Sequence, residues 1–421
     1  MFEQLLSGGP DPVNAGAYLA RFWEAGGRVP DDEDGQRLLA ALLSNGSYLV
    51  DLLLPDVAAL PRLLRDPHLR RPKPRELVLH EAATACAGVA ELRGLQKAMR
   101  RYARREMLRL GARELGWGTT LEVAAELSAL AEGLISEAVR VGEEILRAGF
   151  GAPVTSGERS PGFVVLGMGK LGGEELNFSS DVDLVYLYAT DDGQAGRLSL
   201  HEYYARLSQL VTQAVGDNTE DGMVFRVDLR LRPEGRSGPI CNSLAAAERY
   251  YETFGRTWER QALLRARPIA GDRALGEEFL QMVTPFIYPR SLGPGAVDDV
   301  LALRRLFRAK AGGGGAPGRG FDVKLGLGGI RDVELVAQLL QLLHGGQQPE
   351  LRERTTLRAL QRLTVAGLVS DREQRTLSEA YRFFRRVEHR LQLEQAAQTH
   401  ALPSDEAGYQ RIARRLGCPG G

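Results

Sequence analysis

Three aspartates define the chemistry open to this chain. Asp181 and Asp183 stand two apart at the head of an apolar run, Leu184–Tyr188. On a strand, residues i and i+2 point to one face, with Cα atoms roughly 6–7 Å apart. Two carboxylates held so close repel each other unless a positive charge joins them. Carboxylate oxygens suit a hard divalent cation, and magnesium shares its coordination with substrate phosphates. A third carboxylate lies in Val224–Leu231, Val-Phe-Arg-Val-Asp-Leu-Arg-Leu. Its alternation predicts a strand with Arg226, Asp228 and Arg230 on one face. Three carboxylates can hold two magnesium ions about 3.5–4 Å apart, the arrangement that serves in-line displacement at phosphorus. Asp228 is also a candidate base toward the attacking oxygen.

These residues need a scaffold. The apolar run Phe163–Leu166 reads as a buried strand that enters a glycine turn, Gly167-Met-Gly-Lys-Leu-Gly-Gly173. Gly169, Gly172 and Gly173 offer backbone amides to a phosphate. Lys170 offers a point charge. Ser180 is a candidate to cap or to touch phosphate, and Arg230 and Arg232 to grip one. Gly167–Gly172 also satisfies the dinucleotide fingerprint G-x-G-x-x-G, with Asp191 about 20 residues on. A Rossmann oxidoreductase is therefore the competing reading. It fails on length, because Asn177-Phe178-Ser179-Ser180 breaks the helix such a crossover needs. A P-loop is excluded because Leu171, not Ser or Thr, follows Lys170. No Ser/His/Asp or Cys/His constellation is visible, and the six histidines are scattered.

The wording of these motifs resembles a known family. Leu171-Gly-Gly173, Asp181-Val-Asp-Leu184 and Val227-Asp-Leu229 resemble the nucleotidyltransferase pattern of the DNA polymerase beta superfamily. Gly167–Leu184, Arg226–Pro233, Arg256–Arg267 and Lys324–Glu334 are similar to the glutamine synthetase adenylyltransferase/adenylyl-removing enzymes, which carry two such halves. The similarity runs from about Leu79 to Pro403 and is closer to the amino-terminal, deadenylylating half. It implies that orthophosphate attacks the adenylyl–tyrosine bond of glutamine synthetase and releases ADP. It also implies the PII signal protein as a partner, and places Lys324 and Arg331 in the nucleotide-binding region. The forward, ATP-dependent adenylylation and a non-catalytic PII-binding module are the alternatives.

The remainder of the chain reads as support. The fold class expected is α+β, mostly helical: a small mixed sheet flanked by N-terminal helices and a C-terminal helical bundle. The expected domains are 1–155, 156–270 and 271–421, the last one incomplete. Met1–Arg75 reads as brief helices with proline corners, and Glu76–Trp117 as one or two amphipathic helices. Arg100, Arg101, Arg104, Arg105 and Arg109 read there as a solvated face, or else as a wall of the active cleft. Thr119/Thr120 predicts the cap of a helix running to about Ala148, and Gly149–Pro161 a linker. His201–Val215 reads as a helix. Glu248–Arg260 reads as one helix with an aromatic stripe, Tyr250, Tyr251, Phe254 and Trp258. Leu263–Ile269 reads as a strand whose Arg265 and Arg267 meet phosphate or a buried carboxylate. Ala311–Gly320, with six glycines, reads as a loop or lid. Phe321–Glu334 passes from strand-like alternation through glycines into a helix.

Charge gives no case for nucleic acid or membrane, with 54 basic residues against 54 acidic. No apolar stretch reaches 18 residues, no signal peptide is visible, and three distant cysteines suggest neither disulfides nor zinc. The cytoplasm of a bacterium is the expected compartment.

Overall fold

The computed structural model describes residues 1–157, 159–290, 318–395 and 398–418, with positions 295, 298, 302 and 305 between them. Residues 311–317, most of the expected lid, lie outside the described residues. The fold is α+β and mostly helical, as expected from the sequence.

The sheet that carries the aspartates has four strands in a row, with a fifth on one flank. β1 (Val154–Thr155) belongs to a separate small sheet. β2 (Phe163–Gly167) pairs antiparallel with β3 (Val182–Tyr188), Phe163 opposite Tyr188 and Gly167 opposite Leu184. β4 (Gly193–Ala195) and β5 (Leu198–Ser199) complete the small sheet. β6 (Val227–Asp228) and β7 (Cys241–Ser243) both lie parallel to β3, at its two ends. β8 (Arg267–Gly271) closes the other edge, antiparallel to β2. The antiparallel β2–β3 pair excludes the Rossmann reading, which requires parallel strands around a helical crossover. Asp191, the residue that would bind a ribose there, instead accepts hydrogen bonds from Tyr188 and Ser243.

Both faces of the sheet are covered, so β2 and β3 read as continuous apolar runs. Phe163, Val165, Tyr186 and Tyr188 belong to one core with the N-terminal helices. Val164, Leu166, Val185 and Leu187 belong to a second core on the opposite face. The N-terminal helices are α1 (Phe2–Ser7), α2 (Pro12–Glu24), α3 (Glu33–Ser44), α4 (Ser47–Leu53), α5 (Ala59–Arg65), α6 (Arg75–Ala85), α7 (Leu92–Ala112) and α8 (Thr120–Phe150). A five-residue π-turn, Arg113–Trp117, joins the last two. The Thr119 hydroxyl accepts from the Glu122 amide, and the Glu122 carboxylate accepts from the Thr119 amide. This capping box starts α8 where the sequence predicts. α8 packs against α6, α7 and β8 and against α10, so it spans the N-terminal bundle and the sheet. α9 (Gly169–Gly172) is the glycine turn, and α10 (Leu200–Gly216) matches the helix expected there.

α11 (Leu244–Thr253) and α12 (Thr257–Leu263) replace the single helix expected over Glu248–Arg260. The break falls at Phe254-Gly255, where a Cβ on Gly255 would meet the Phe286 ring at 2.4 Å and the Tyr251 carbonyl at 2.8 Å. Of the expected stripe, Tyr251 is buried, while Phe254 is exposed. α13 (Arg273–Ile287) covers the second sheet face. α14 (Ile330–His344), α15 (Thr356–Val365), α16 (Asp371–Gln395) and α17 (Glu406–Arg415) form the C-terminal bundle around Val333, Leu360, Leu363, Tyr381 and Leu391.

Two further expectations are corrected. Val224–Leu231 pairs only over Val227–Asp228, because β3 offers that edge just two residues before the chain turns at Leu229–Gly235. The arginines of α7 are not one solvated face. Arg100 and Arg109 are buried. Arg100 donates to the carbonyls of Ala214 and Gly222 at 3.1 and 2.7 Å. Arg109 bridges Glu106 and Glu126, both at 2.8 Å, and Lys73 reaches Glu106 at 2.9 Å. Arg109 thus ties α7 to α8, and Arg100 ties α7 to the end of α10. Arg101, Arg104 and Arg105 are not buried.

Candidate active site

Asp183 and Asp228 are directly opposite each other in the parallel pairing of β3 with β6. In-register residues of neighbouring strands share a face, so the two carboxylates lie side by side. Asp181 precedes β3 and joins them electrostatically. Burial first, and then the charges of Asp228 and Asp181, push the Asp183 carboxyl up to about 6. Lys324 and Arg331 act in the opposite sense on the same carboxyl. The three aspartates thus feel one another, and both basic residues expected from the later segment reach the same field.

The glycine turn sits against Asp183. The Met168 amide donates to the Asp183 carbonyl at 2.9 Å. Gly169 has φ +53, and a Cβ there would lie 2.5 Å from Asp183 Oδ2, so its missing side chain makes room for the carboxylate. The amides of Gly172 and Gly173 are engaged within the turn, on Met168 and Gly169 carbonyls. Gly172 is required for packing as well: a Cβ would meet the Arg265 carbonyl at 1.9 Å and the Gly167 carbonyl at 2.5 Å. Gly172→Ala is expected to cost on the order of 3 kcal/mol. Gly16→Ala in α2, where a Cβ meets nothing, should instead gain about 1 kcal/mol. Urea unfolding of the two variants checks the contrast.

The other expected residues are distributed as follows. Lys170 is ion-paired to Glu334 and faces the Tyr381 ring at 5.5 Å. Ser180 bonds Asn177. Arg230 grips Asp228 through its Nε at 2.7 Å and its Nη2. Arg232 is turned to the main chain, donating to the carbonyls of Leu229, Gly238 and Pro239. Lys324 Nζ lies 3.4 Å from His400 Nε2, and Arg331 Nη1 lies 3.4 Å from Glu334. Arg265 and Arg267 both meet buried carboxylates, Glu175 with Glu334, and Glu132. The sequence reading missed Gln398, whose amide donates to Asp181 Oδ1 at 2.9 Å. It also missed Gln392, which accepts from the Ser179 amide at 3.1 Å. No local pattern could have found them, since both contacts join residues more than 200 positions apart.

Asp181 is held by Arg226 at 2.7 Å, and burial, which pushes the Asp228 carboxyl up, is outweighed by Arg230, leaving that group below the ordinary range. With the side chains so turned, no three acidic, histidine or cysteine residues among those described form a ready metal cage. The donor set still fits a hard divalent ion. All the donors are carboxylate oxygens on one sheet edge. Asp183 is crowded by like charge, and the guanidiniums of Arg226 and Arg230 are about half exposed.

The glutamate-ammonia ligase adenylyltransferase family model matches residues 36–282, more than half of the chain. The chain belongs to that family. Residues 308–421 match a second family model, the PII-uridylyltransferases. Relatives are the bifunctional glutamine synthetase adenylyltransferase/adenylyl-removing enzymes. That of Xanthomonas axonopodis pv. citri is 41% identical over 377 residues, 88% of this chain and 39% of the relative. That of Xanthomonas campestris pv. campestris (strain B100) is 38% identical over 415 residues, 97% of this chain and 43% of the relative. That of Hahella chejuensis is 36% identical over 420 residues, 96% of this chain and 42% of the relative. The chain therefore spans about two fifths of the length of these relatives. Membership in the adenylyltransferase family agrees with the resemblance read from the motifs. Among the described residues no helix is long and apolar enough to cross a membrane.

Proposed function

We propose that this chain is a magnesium-dependent nucleotidyl-transfer unit that removes the adenylyl group from a tyrosine of glutamine synthetase by phosphorolysis. The observation that carries this reading is the register of Asp183 opposite Asp228 beside the glycine turn. An oxygen of orthophosphate attacks the adenylyl phosphorus, the bond from phosphorus to the tyrosine oxygen breaks, ADP leaves, and the tyrosine oxygen takes up a proton. Asp181, Asp183 and Asp228 would hold two magnesium ions, which supply charge neutralisation at the reacting phosphoryl oxygens. Asp228 would accept a proton from the attacking phosphate. Arg226 and Arg230, released from the carboxylates, present guanidiniums to the phosphates. Lys324 and Arg331 add positive charge from the C-terminal side. The division at 155 and 270 then assigns the chemistry to 156–270 and the docking of glutamine synthetase and PII to the flanking helices. The likeness of residues 308–421 to the PII-uridylyltransferases favours that link for the C-terminal helices.

The decisive assay mixes the chain with adenylylated glutamine synthetase, phosphate and magnesium and measures ADP. ADP release supports the proposal. Labelling of unmodified glutamine synthetase from ATP, without ADP release from the adenylylated form, would assign the forward reaction.

Magnesium should also stabilise the protein in a pH-dependent way. With its carboxyl raised to about 6, Asp183 is largely protonated at pH 5 and ionised at pH 8. Magnesium must compete with that proton. At about 100 times the dissociation constant the ion adds about 2.7 kcal/mol. Thermal melts should show a rise with magnesium at pH 8 and little at pH 5. An equal rise at both would mean that the ion binds elsewhere.

A further inference from the structure

A second site lies where the π-turn meets the C-terminal bundle. A cleft of about 450 Å³ opens between Gly118–Leu121 and α16. That volume lies within the range of small-molecule pockets. Arg382, Arg386 and Arg390 line it from α16, and their four-residue spacing stacks them on one helix face. Facing them is the first turn of α8, a 31-residue helix. Its capping box engages the Thr119 and Glu122 amides. The Thr120 and Leu121 amides have no partner within the helix, and the helix dipole is positive at this end.

Arg390 puts an incompletely compensated positive charge beneath the cleft. Only 5% of the residue is exposed. Its Nη2 donates to the Glu114 carbonyl at 2.6 Å, yet Nε and Nη1 are buried without a hydrogen-bond acceptor. Nη1 lies 3.6 Å from Glu114 Oε1. The Glu114 carboxylate is already taken up by the Thr120 hydroxyl at 2.8 Å and His389 at 3.1 Å. Arg382 and Arg386 have no carboxylate partner among the described residues; Arg386 donates to the Leu416 carbonyl. Burial, with added repulsion from Arg386 and Arg415, outweighs Glu114 and disfavours the charged form of Arg390. Three guanidiniums, a helix start and one engaged carboxylate leave an excess of positive charge around a hollow.

We propose that this cleft binds a small multivalent anion bearing phosphate or carboxylate oxygens, with the exposed Arg382 and Arg386 as its donors and Arg390 as a buried positive charge behind them. The place suits an effector. On the same helix Arg385 holds the Glu175 carbonyl at 2.8 Å, Gln392 holds the Ser179 amide, and His389 packs edge-on against Phe178. All three contacts fall on the segment that leads to Asp181.

Titration calorimetry on the full chain, without magnesium, tests the proposal with inorganic phosphate and, separately, succinate. At least one should bind, and binding should weaken about tenfold or more in the Arg382→Gln/Arg386→Gln variant, whose exposed substitutions spare the fold. Asp183→Asn should bind as wild type does. Preference between the two anions identifies the ligand as phosphate-type or dicarboxylate-type. The proposal is overturned if neither anion binds below about 10 mM. It is equally overturned if loss of the two arginines leaves the number of anions bound per chain unchanged.

Discussion

Asp183→Asn is expected to abolish nucleotidyl transfer while leaving the protein folded and, without metal, more stable. The carboxylate stands opposite Asp228 in register, and burial together with the charges of Asp228 and Asp181 raises it. Losing it removes the central oxygen donor of the proposed magnesium site. Metal-assisted charge stabilisation is worth several kcal/mol at the transition state, so turnover should fall on the order of 10³-fold or more. The stability change follows from the same crowding. An ordinary aspartate titrates near 3.8, and this one is raised to about 6. Its contribution to stability is therefore fully present below pH 3.8 and lost as pH rises through 6. Above that, ionised Asp183 costs at most about 3 kcal/mol in the absence of metal. Asparagine removes the cost. The variant should thus exceed wild type in apo stability at pH 8, keep about half of that gain at pH 5 and match wild type only below pH 3.8, by urea unfolding across that range. A variant that loses activity but shows no pH-dependent gain would mean that the three carboxylates do not share one field. A variant that keeps its activity would remove the aspartates from the chemistry altogether.

That the aspartates could be found in the sequence at all reflects how local their signal is. Asp181 and Asp183 precede an apolar run, the glycines precede them, and Asp228 lies in a stretch whose alternation is visible in eight residues. Strand faces follow from a period of two, and the Thr119–Glu122 cap from a spacing of three. The sequence does not mark which charged residues are buried. Arg100 and Arg109 look like solvated charges, because a charged side chain carries the same letter in water and in a core. Their partners come from other elements: Glu126 for Arg109, and the Ala214 and Gly222 carbonyls for Arg100. The length of β6 was unreadable for a related reason. Alternation permits a strand, but pairing with β3 determines how many residues form one. Gly255 shows the converse. A glycine in an apolar helical pattern does not by itself mark a break, yet here the Phe286 ring occupies the space that a side chain would fill.

Glu334 carries the second large effect, because it joins the glycine turn to the C-terminal bundle. Its side chain is 2% exposed, and it holds Lys170 from the turn and Arg265 at 3.2 Å. Arg265 continues to Glu175 at 3.2 Å and to the Thr356 hydroxyl at 2.7 Å, and Thr356 returns its amide to Glu175 at 2.8 Å. Burial disfavours the ionised carboxylate, but Lys170, Arg265 and Arg331 outweigh it and hold Glu334 well below the usual range. Burial brings the Lys170 ammonium down to about 8, against the pull of Glu334. Glu334→Met strands Lys170 without its only carboxylate partner among the described residues, which should cost about 3–5 kcal/mol. Lys170→Met should cost less, since Arg265 and Arg331 still face Glu334. The double variant Glu334→Met/Lys170→Met should recover most of the loss, because an apolar pair of similar volume replaces a buried ion pair. A double-mutant cycle by urea unfolding measures this directly. If Glu334→Met proves as mild as a surface substitution, or if the double variant is worse than either single one, the ion pair is not what fastens the turn to the bundle. If Lys170→Met instead keeps its stability and loses turnover, the ammonium serves the phosphates as well as Glu334.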